Sequence, residues 1–140
     1  MDLGMKGLRA IVTGGTKGIG RAIVEGLVAE GVSVAFCARN ADEVTSTAAE
    51  LADKGAKVSG RVVDVADGPG LAEWVNGVAR EFGGVDIVVA NVSALAISND
   101  ETGWQRGFEV DMMGTVRLVH AATPPPEKSA HPSTAPLPRA

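Results

Sequence analysis

Along the first 123 positions, apolar residues fall in short runs separated by longer segments in which they recur every three or four residues. The first run, Leu8 to Val12, reads as a strand, and the glycine-dense stretch Thr13-Gly14-Gly15-Thr16-Lys17-Gly18-Ile19-Gly20 follows it directly. From Arg21 to Glu30 the residues Ala22, Ile23, Leu27 and Val28 keep the spacing of one buried helix face, and Gly31 supplies a stop. Val32 to Ala38 is almost wholly apolar, the pattern of a strand covered on both faces of a parallel sheet. Asn40, with Glu43 three residues later, has the spacing of an N-cap and its reciprocating carboxylate; the helix they open carries Val44, Ala48 and Leu51 inward and ends near Gly55. Lys57 to Asp64 predicts a third strand. Asp67 caps a helix whose apolar side is Leu71, Trp74, Val75 and Val78 and which ends at Gly83-Gly84. Val85 to Ala90 predicts a fourth strand. Past a polar loop around Ser98 and Asn99, one helix is expected from about Gly103 to Ala122, with Trp104, Phe108, Met112, Thr115 and Val119 facing inward.

Strands joined through helices of about ten or more residues need crossover connections, which make the sheet parallel and put helices on both of its faces. The pattern is therefore doubly wound α/β, with about four strands in the order 3-2-1-4 and the fourth left as an open edge. Residues 1–123 form this unit. Residues 124–140 differ in kind: they hold six of the seven prolines and almost no aliphatic side chains beyond Leu137, so an extended, disordered tail is expected there.

Thirteen Lys and Arg against 17 Asp and Glu give a net charge of −4, which argues against broad adhesion to nucleic acid or to an anionic membrane. One cysteine cannot form an intrachain disulfide, and two scattered histidines make no zinc cluster. No run reaches the ~20 apolar residues of a membrane span, and Met1 to Arg9 lacks the apolar core of a leader, so a cytoplasmic protein is expected.

The chemistry lies in Gly14 to Gly20, spaced G-x-x-x-G-x-G between a strand and a helix. A dinucleotide pyrophosphate must meet backbone N–H groups at close range, and a helix N-terminus offers unpaired N–H groups with a favourable dipole. Residues without Cβ at Gly14 and Gly18 let the chain turn and lie against a ligand, and Gly20 lets the helix pack close to the first strand. Neither the triphosphate-binding G-x-x-x-x-G-K-[ST] loop nor G-x-G-x-x-G fits. A glycine-rich turn with no ligand is the alternative, which the flanking strand and helix disfavour.

These residues resemble the short-chain dehydrogenase/reductases, whose fold is of the Rossmann type. Thr13 to Gly20 is similar to that family's T-G-x-x-x-G-x-G cofactor loop. Asp64-Val65 resembles its adenine-contacting Asp, and Asp86-Ile87-Val88-Val89-Ala90-Asn91 resembles its D-I-L-V-N-N-A-G segment. The likeness spans about residues 7 to 123. It implies cofactor contacts at Gly14, Thr16, Lys17, Gly18, Ile19, Gly20, Arg39, Asn40, Asp64, Val65 and Asn91. An acid at the end of the second strand would accept hydrogen bonds from a ribose 2′-OH and repel a 2′-phosphate. Cys37, Ala38, Arg39 and Asn40 include no acid, and Arg39 can fork onto a phosphate with Lys17 as a second cation, so NADP(H) is expected over NAD(H). Arg39 as an ordinary solvated charge, and Asp64 as a turn residue, remain the alternatives. Cys37 reads as a small core residue, His120 as a cation suited to a helix C-terminus, and Trp74 and Trp104 as packing or interface residues. His131 falls in the tail.

The resemblance further implies oxidation of an alcohol or reduction of a carbonyl, with a Tyr proton donor, a Lys four residues later and a Ser. A phenol of pKa about 10 needs a neighbouring cation to donate near neutral pH. The chain contains no tyrosine. Asp111 stands where the family places an Asn in the long helix, and Ala90, Val92 and Ser93 replace the first Asn, the Ala and the Gly of N-N-A-G, so only Asn91 matches. Three readings follow: the cofactor-binding half of an NADP(H)-dependent oxidoreductase, a non-catalytic NADP(H)-binding module, and an inactive truncated product. A small-molecule substrate is expected only in a full-length relative, and the 103–122 helix is the candidate surface for a homo-oligomer. The change at Pro124 is what a shifted reading frame or premature end in a longer gene would produce. In that case the nucleotides downstream of the Ser129 codon encode a Ser-bearing strand and a Tyr-x-x-x-Lys segment in another frame.

Overall fold

The computed structural model describes residues 2–55 and 57–123. Four strands, β1 (Arg9–Thr13), β2 (Ser33–Ala38), β3 (Val58–Val62) and β4 (Ile87–Val89), form one parallel sheet in the order β3-β2-β1-β4. Ile11 pairs with Ala35 on one side and Val88 on the other, so β1 is an interior strand with β2, and both β3 and β4 are edges. Side chains alternate across this sheet, and each set meets its own helices. Ala10, Val12, Val34 and Phe36 pack with Val24 and Val28 of α1 (Gly18–Ala29) and with Val44 and Leu51 of α2 (Ala41–Ala52). Ile11, Ala35 and Cys37 face the other way, onto Leu71, Trp74, Val75 and Val78 of α3 (Gly68–Phe82) and Leu118. Both faces are covered, which makes the fold a Rossmann-type doubly wound α/β sheet of four strands. The predicted proline-rich tail, 124–140, lies outside the described residues.

Three details differ from the sequence reading. Helix α1 starts at Gly18, inside the glycine motif, and its buried line is Gly20, Val24 and Val28; Ile23 and Leu27 flank it and Ala22 is exposed. The expected single helix over 103–122 is a continuous coil of three parts: α4 (Glu101–Gly107), a π-helical segment (Phe108–Met113) and α5 (Gly114–Ala122). Its inward face is also different. Trp104 (72%), Phe108 (55%), Met112 (57%) and Val119 (47%) are exposed, as is Thr115, whereas Gly103, Gly114 and Leu118 are buried. Two glycines share the inner side with Leu118 because they let the helix axis approach: a Cβ on Gly114 would lie 3.1 Å from Val65 Cγ2, and one on Gly103 would collide with Ser98. Arg117 then ties the helix to the turn after β3, donating to Ala66 O at 3.3 Å and to Glu109 at 3.0 Å across the π-helical segment.

Candidate functional site

The turn after β1 is built by its neighbours. Gly14 and Gly15 N–H donate to Cys37 O at 2.9 and 3.2 Å, which fixes the turn on the end of β2. Gly14 adopts φ 73°, a left-handed conformation, and a Cβ there would meet Asn91 Nδ2 at 2.8 Å. A Cβ on Gly20 would overlap Gly14 O and crowd Asn91 Nδ2, so Gly20 is needed for the approach of α1 to the turn itself and to the segment after β4, more than to β1. Helices α2, α3 and α4 each begin on a side-chain cap, from Asn40, Asp67 and Asp100. Helix α1 does not. Its N-cap, Lys17, makes no side-chain cap bond and no acid lies in its first turn, so its leading amides stay unpaired with any side-chain cap.

Beside this end of α1 opens a cavity of about 590 Å³. Gly14, Thr16 and Lys17 line it from the turn, Arg39 and Asn40 from the end of β2, Asp64 and Val65 from the segment after β3, and Asn91 from the segment after β4. Eight of the eleven residues singled out for cofactor contact thus meet in one groove. Gly18, Ile19 and Gly20 form the adjoining first turn of α1 and do not line it, Ile19 being 75% exposed. Asp64 also fills its alternative role, since its Oδ1 accepts from Ala66 N at 2.9 Å in a local turn. Asn91 spends Nδ2 on Thr13 O and Gly14 O, and its Oδ1 takes no hydrogen bond among the described residues.

Sequence reasoning missed Glu43, Ser93, Arg106 and Val110, all of which line the groove. Arg106 and Val110 are four residues apart on one helix, a spacing that puts them on one face. Glu43 was expected to return to the amide of Asn40. Instead Asn40 Oδ1 accepts from Asp42 N and Glu43 N, while the Glu43 carboxylate crosses to the glycine turn, accepting from Thr16 Oγ1 at 3.0 Å and lying 3.6 Å from Lys17 Nζ. A hydroxyl and a cation together outbid one backbone N–H. Arg39 has no ion-pair partner among the described residues.

Asp111 lies at the far end, in the π-helical segment, against a second cavity of about 560 Å³. Its carboxylate accepts from Ala94 N at 2.6 Å and Ser93 Oγ at 3.3 Å, and so holds the segment after β4. Next to that hold, Leu95 sits at φ 48°, a left-handed conformation costly for a branched side chain. Cys37 is buried, and desolvation pushes its thiol up to about 12, so it is no nucleophile. No helix of the described residues is long and apolar enough to cross a membrane.

A parallel doubly wound sheet with a glycine turn opening onto a bare helix N-terminus defines a Rossmann-type α/β protein. The short chain dehydrogenase family model matches residues 9–131, and the chain belongs to that family. An isoepoxydon dehydrogenase of Penicillium expansum is 38% identical over 134 residues, covering 92% of this chain and 51% of the relative. An L-sorbose reductase from Gluconobacter frateurii, solved in complex with NADPH and L-sorbose, superimposes with a TM-score of 0.77 at 37% identity, over 87% of this chain and 48% of that one. A Serratia marcescens short-chain dehydrogenase/reductase variant gives a TM-score of 0.80 at 31% identity, over 84% and 50%. The chain spans about half the length of these relatives.

Proposed function

We propose that this chain is the NADP(H)-binding portion of an oxidoreductase acting on alcohol or carbonyl groups. The observation that carries the reading is the convergence, on one groove, of an uncapped helix N-terminus, a close approach of turn and helix in which Gly14 and Gly20 have no room for a Cβ, and an acid-free end of β2 bearing Arg39. The amides from Gly14 to Ile19 would hold the pyrophosphate and Arg39 the extra phosphate of the adenosine ribose, with Lys17 beside it. Asp64 and Val65 would flank the adenine, and Asn91 would brace the turn. The bound nicotinamide supplies or takes the hydride. The L-sorbose reductase solved with NADPH supports the choice of cofactor class.

With no tyrosine among its 140 residues, the chain would bind the cofactor without turning over substrate by itself. The exposed line Trp104, Phe108, Met112 and Val119 favours self-association through the long helix. Fluorescence titration of the full chain with NADPH and NADH tests the reading. Saturable binding that is tighter for NADPH, with the difference removed in Arg39→Leu, is the expected result. No saturable binding of either nucleotide would defeat it, and equal affinity would remove the role given to Arg39.

A further inference from the structure

Glu43 lines the groove, and this reading leaves its chemistry unused. It belongs to the first turn of α2, yet its carboxylate accepts from Thr16 Oγ1 at 3.0 Å and lies 3.6 Å from Lys17 Nζ. Both partners belong to the turn before α1. The carboxylate therefore sits between the N-terminal ends of two helices, where peptide dipoles favour an anion. It lines the same cavity as Arg39 and Asn40, and Asp64 is the one other carboxylate that does so among the described residues.

We propose that Glu43 is a specificity-determining residue, an internal anion that holds Thr16 and Lys17 and works against a phosphate on the adenosine ribose, so narrowing the preference for NADP(H) over NAD(H). The inference rests on the groove being a dinucleotide site. A 2′-phosphate brings about two negative charges and needs Lys17 and Arg39 as counter-charges. Lys17 already has one in Glu43. Drawing Lys17 onto the phosphate deprives Glu43 of its cation and leaves two anions in one groove. A bare ribose brings no charge, and its hydroxyls can donate to the carboxylate. One side chain thus opposes the first cofactor and suits the second. The end of β2 carries no acid; an acid follows in the first turn of α2 and reaches the same groove, beside Thr16 and Lys17. Lys17 is 82% exposed, so its pairing with Glu43 contributes little on its own, and the effect falls on the incoming phosphate.

Glu43→Gln in the full chain removes the charge and keeps an oxygen that can accept from Thr16 Oγ1. The NADPH dissociation constant should fall roughly five- to tenfold at low ionic strength while that of NADH holds or rises, and the gain should shrink in high salt. Asp42→Asn makes the same change in net charge one residue away, at a side chain with no bond to the glycine turn among the described residues, and should leave the NADPH to NADH ratio at its wild-type value. A ratio unmoved by Glu43→Gln, or moved equally by both variants, overturns the inference and leaves the cofactor reading standing. Wild-type chain that binds neither nucleotide fells that reading and the inference together.

Discussion

Asn91 reaches across 78 positions of sequence to Thr13, its Nδ2 donating to Thr13 O at 3.1 Å and, at 3.2 Å, to Gly14 O. Its own N–H donates to Thr13 Oγ1 at 3.1 Å, so the segment after β4 is latched to the glycine turn through backbone and side chain alike. The latch explains why the two segments form one wall of the groove although no ladder bond joins them there. Asn91→Ala would leave two part-buried carbonyls short of a donor, a cost of about 1–3 kcal/mol, and would loosen the turn. Asn91→Asp should cost more, because a carboxylate would then face those carbonyls. Urea unfolding read alongside NADPH titration checks this; stability and affinity equal to wild type in Asn91→Ala would show that the latch is dispensable.

At the other end of the same strands, Arg9 and Asp86 form a two-pronged pair, Nε to Oδ2 at 2.8 Å and Nη2 to Oδ1 at 3.0 Å, while Arg9 Nη1 donates to Gly83 O at 2.7 Å. The Arg9 guanidinium holds the Asp86 carboxyl below the usual carboxylate range. A depressed folded-state pKa gives stability that is present above the unfolded value, about 3.9, and is lost as pH falls through the folded one. Asp86→Asn should therefore lower stability near neutral pH and flatten its decline in acid. Unfolding midpoints measured from neutral pH to about pH 3 give the comparison, and parallel curves for the two proteins would exclude this pair as a source of acid lability.

Most of the fold could be read from the order of apolar runs, because a doubly covered strand and a one-faced helix leave different periods. The groove was legible as far as it lies at strand ends: Gly14 and Arg39 follow a strand directly, Asp64 and Asn91 follow one with a single residue between, and the sheet brings those ends together. What was hidden depended on choices that spacing does not decide. Glu43 fits a capping box as well as a cross-link, and only the position of Thr16 and Lys17 beside α2 selects the second. On the long helix, bulk pointed to Trp104 and Phe108, whereas the inner side belongs to Leu118 and to glycines that hydropathy does not weight.

Cys37 supplies a test of the core under the groove. Its backbone carbonyl anchors Gly14 and Gly15, and its thiol is fully buried with a pKa pushed up to about 12 by desolvation. The folded chain should resist alkylation at pH 8, and labelling by iodoacetamide should appear only with denaturant. An acid whose pKa is raised on folding binds its proton longer than the unfolded chain does, so stability should fall above about pH 9, by up to roughly 1.4 kcal/mol per pH unit. Cys37→Ala should remove that alkaline slope. Rapid labelling of the native chain at pH 8 would contradict the burial.

The two sides of the long helix should answer substitution in opposite ways. A Cβ on Gly114 would lie only 3.1 Å from Val65 Cγ2, closer than ordinary contact, so Gly114→Val must push the helix off the segment that walls the groove, at a cost of about 1–3 kcal/mol. Phe108 points outward and lines no part of that groove. Phe108→Glu should leave the unfolding midpoint and the NADPH dissociation constant close to wild type. If copies of the chain associate through the outer face, the same change puts a charge into the contact and should move the sedimentation profile toward the monomer. Wild-type chain that stays monomeric across the accessible concentration range would discount that face as a self-contact, and a loss of NADPH affinity in Phe108→Glu would show that the outer face is coupled to the groove after all.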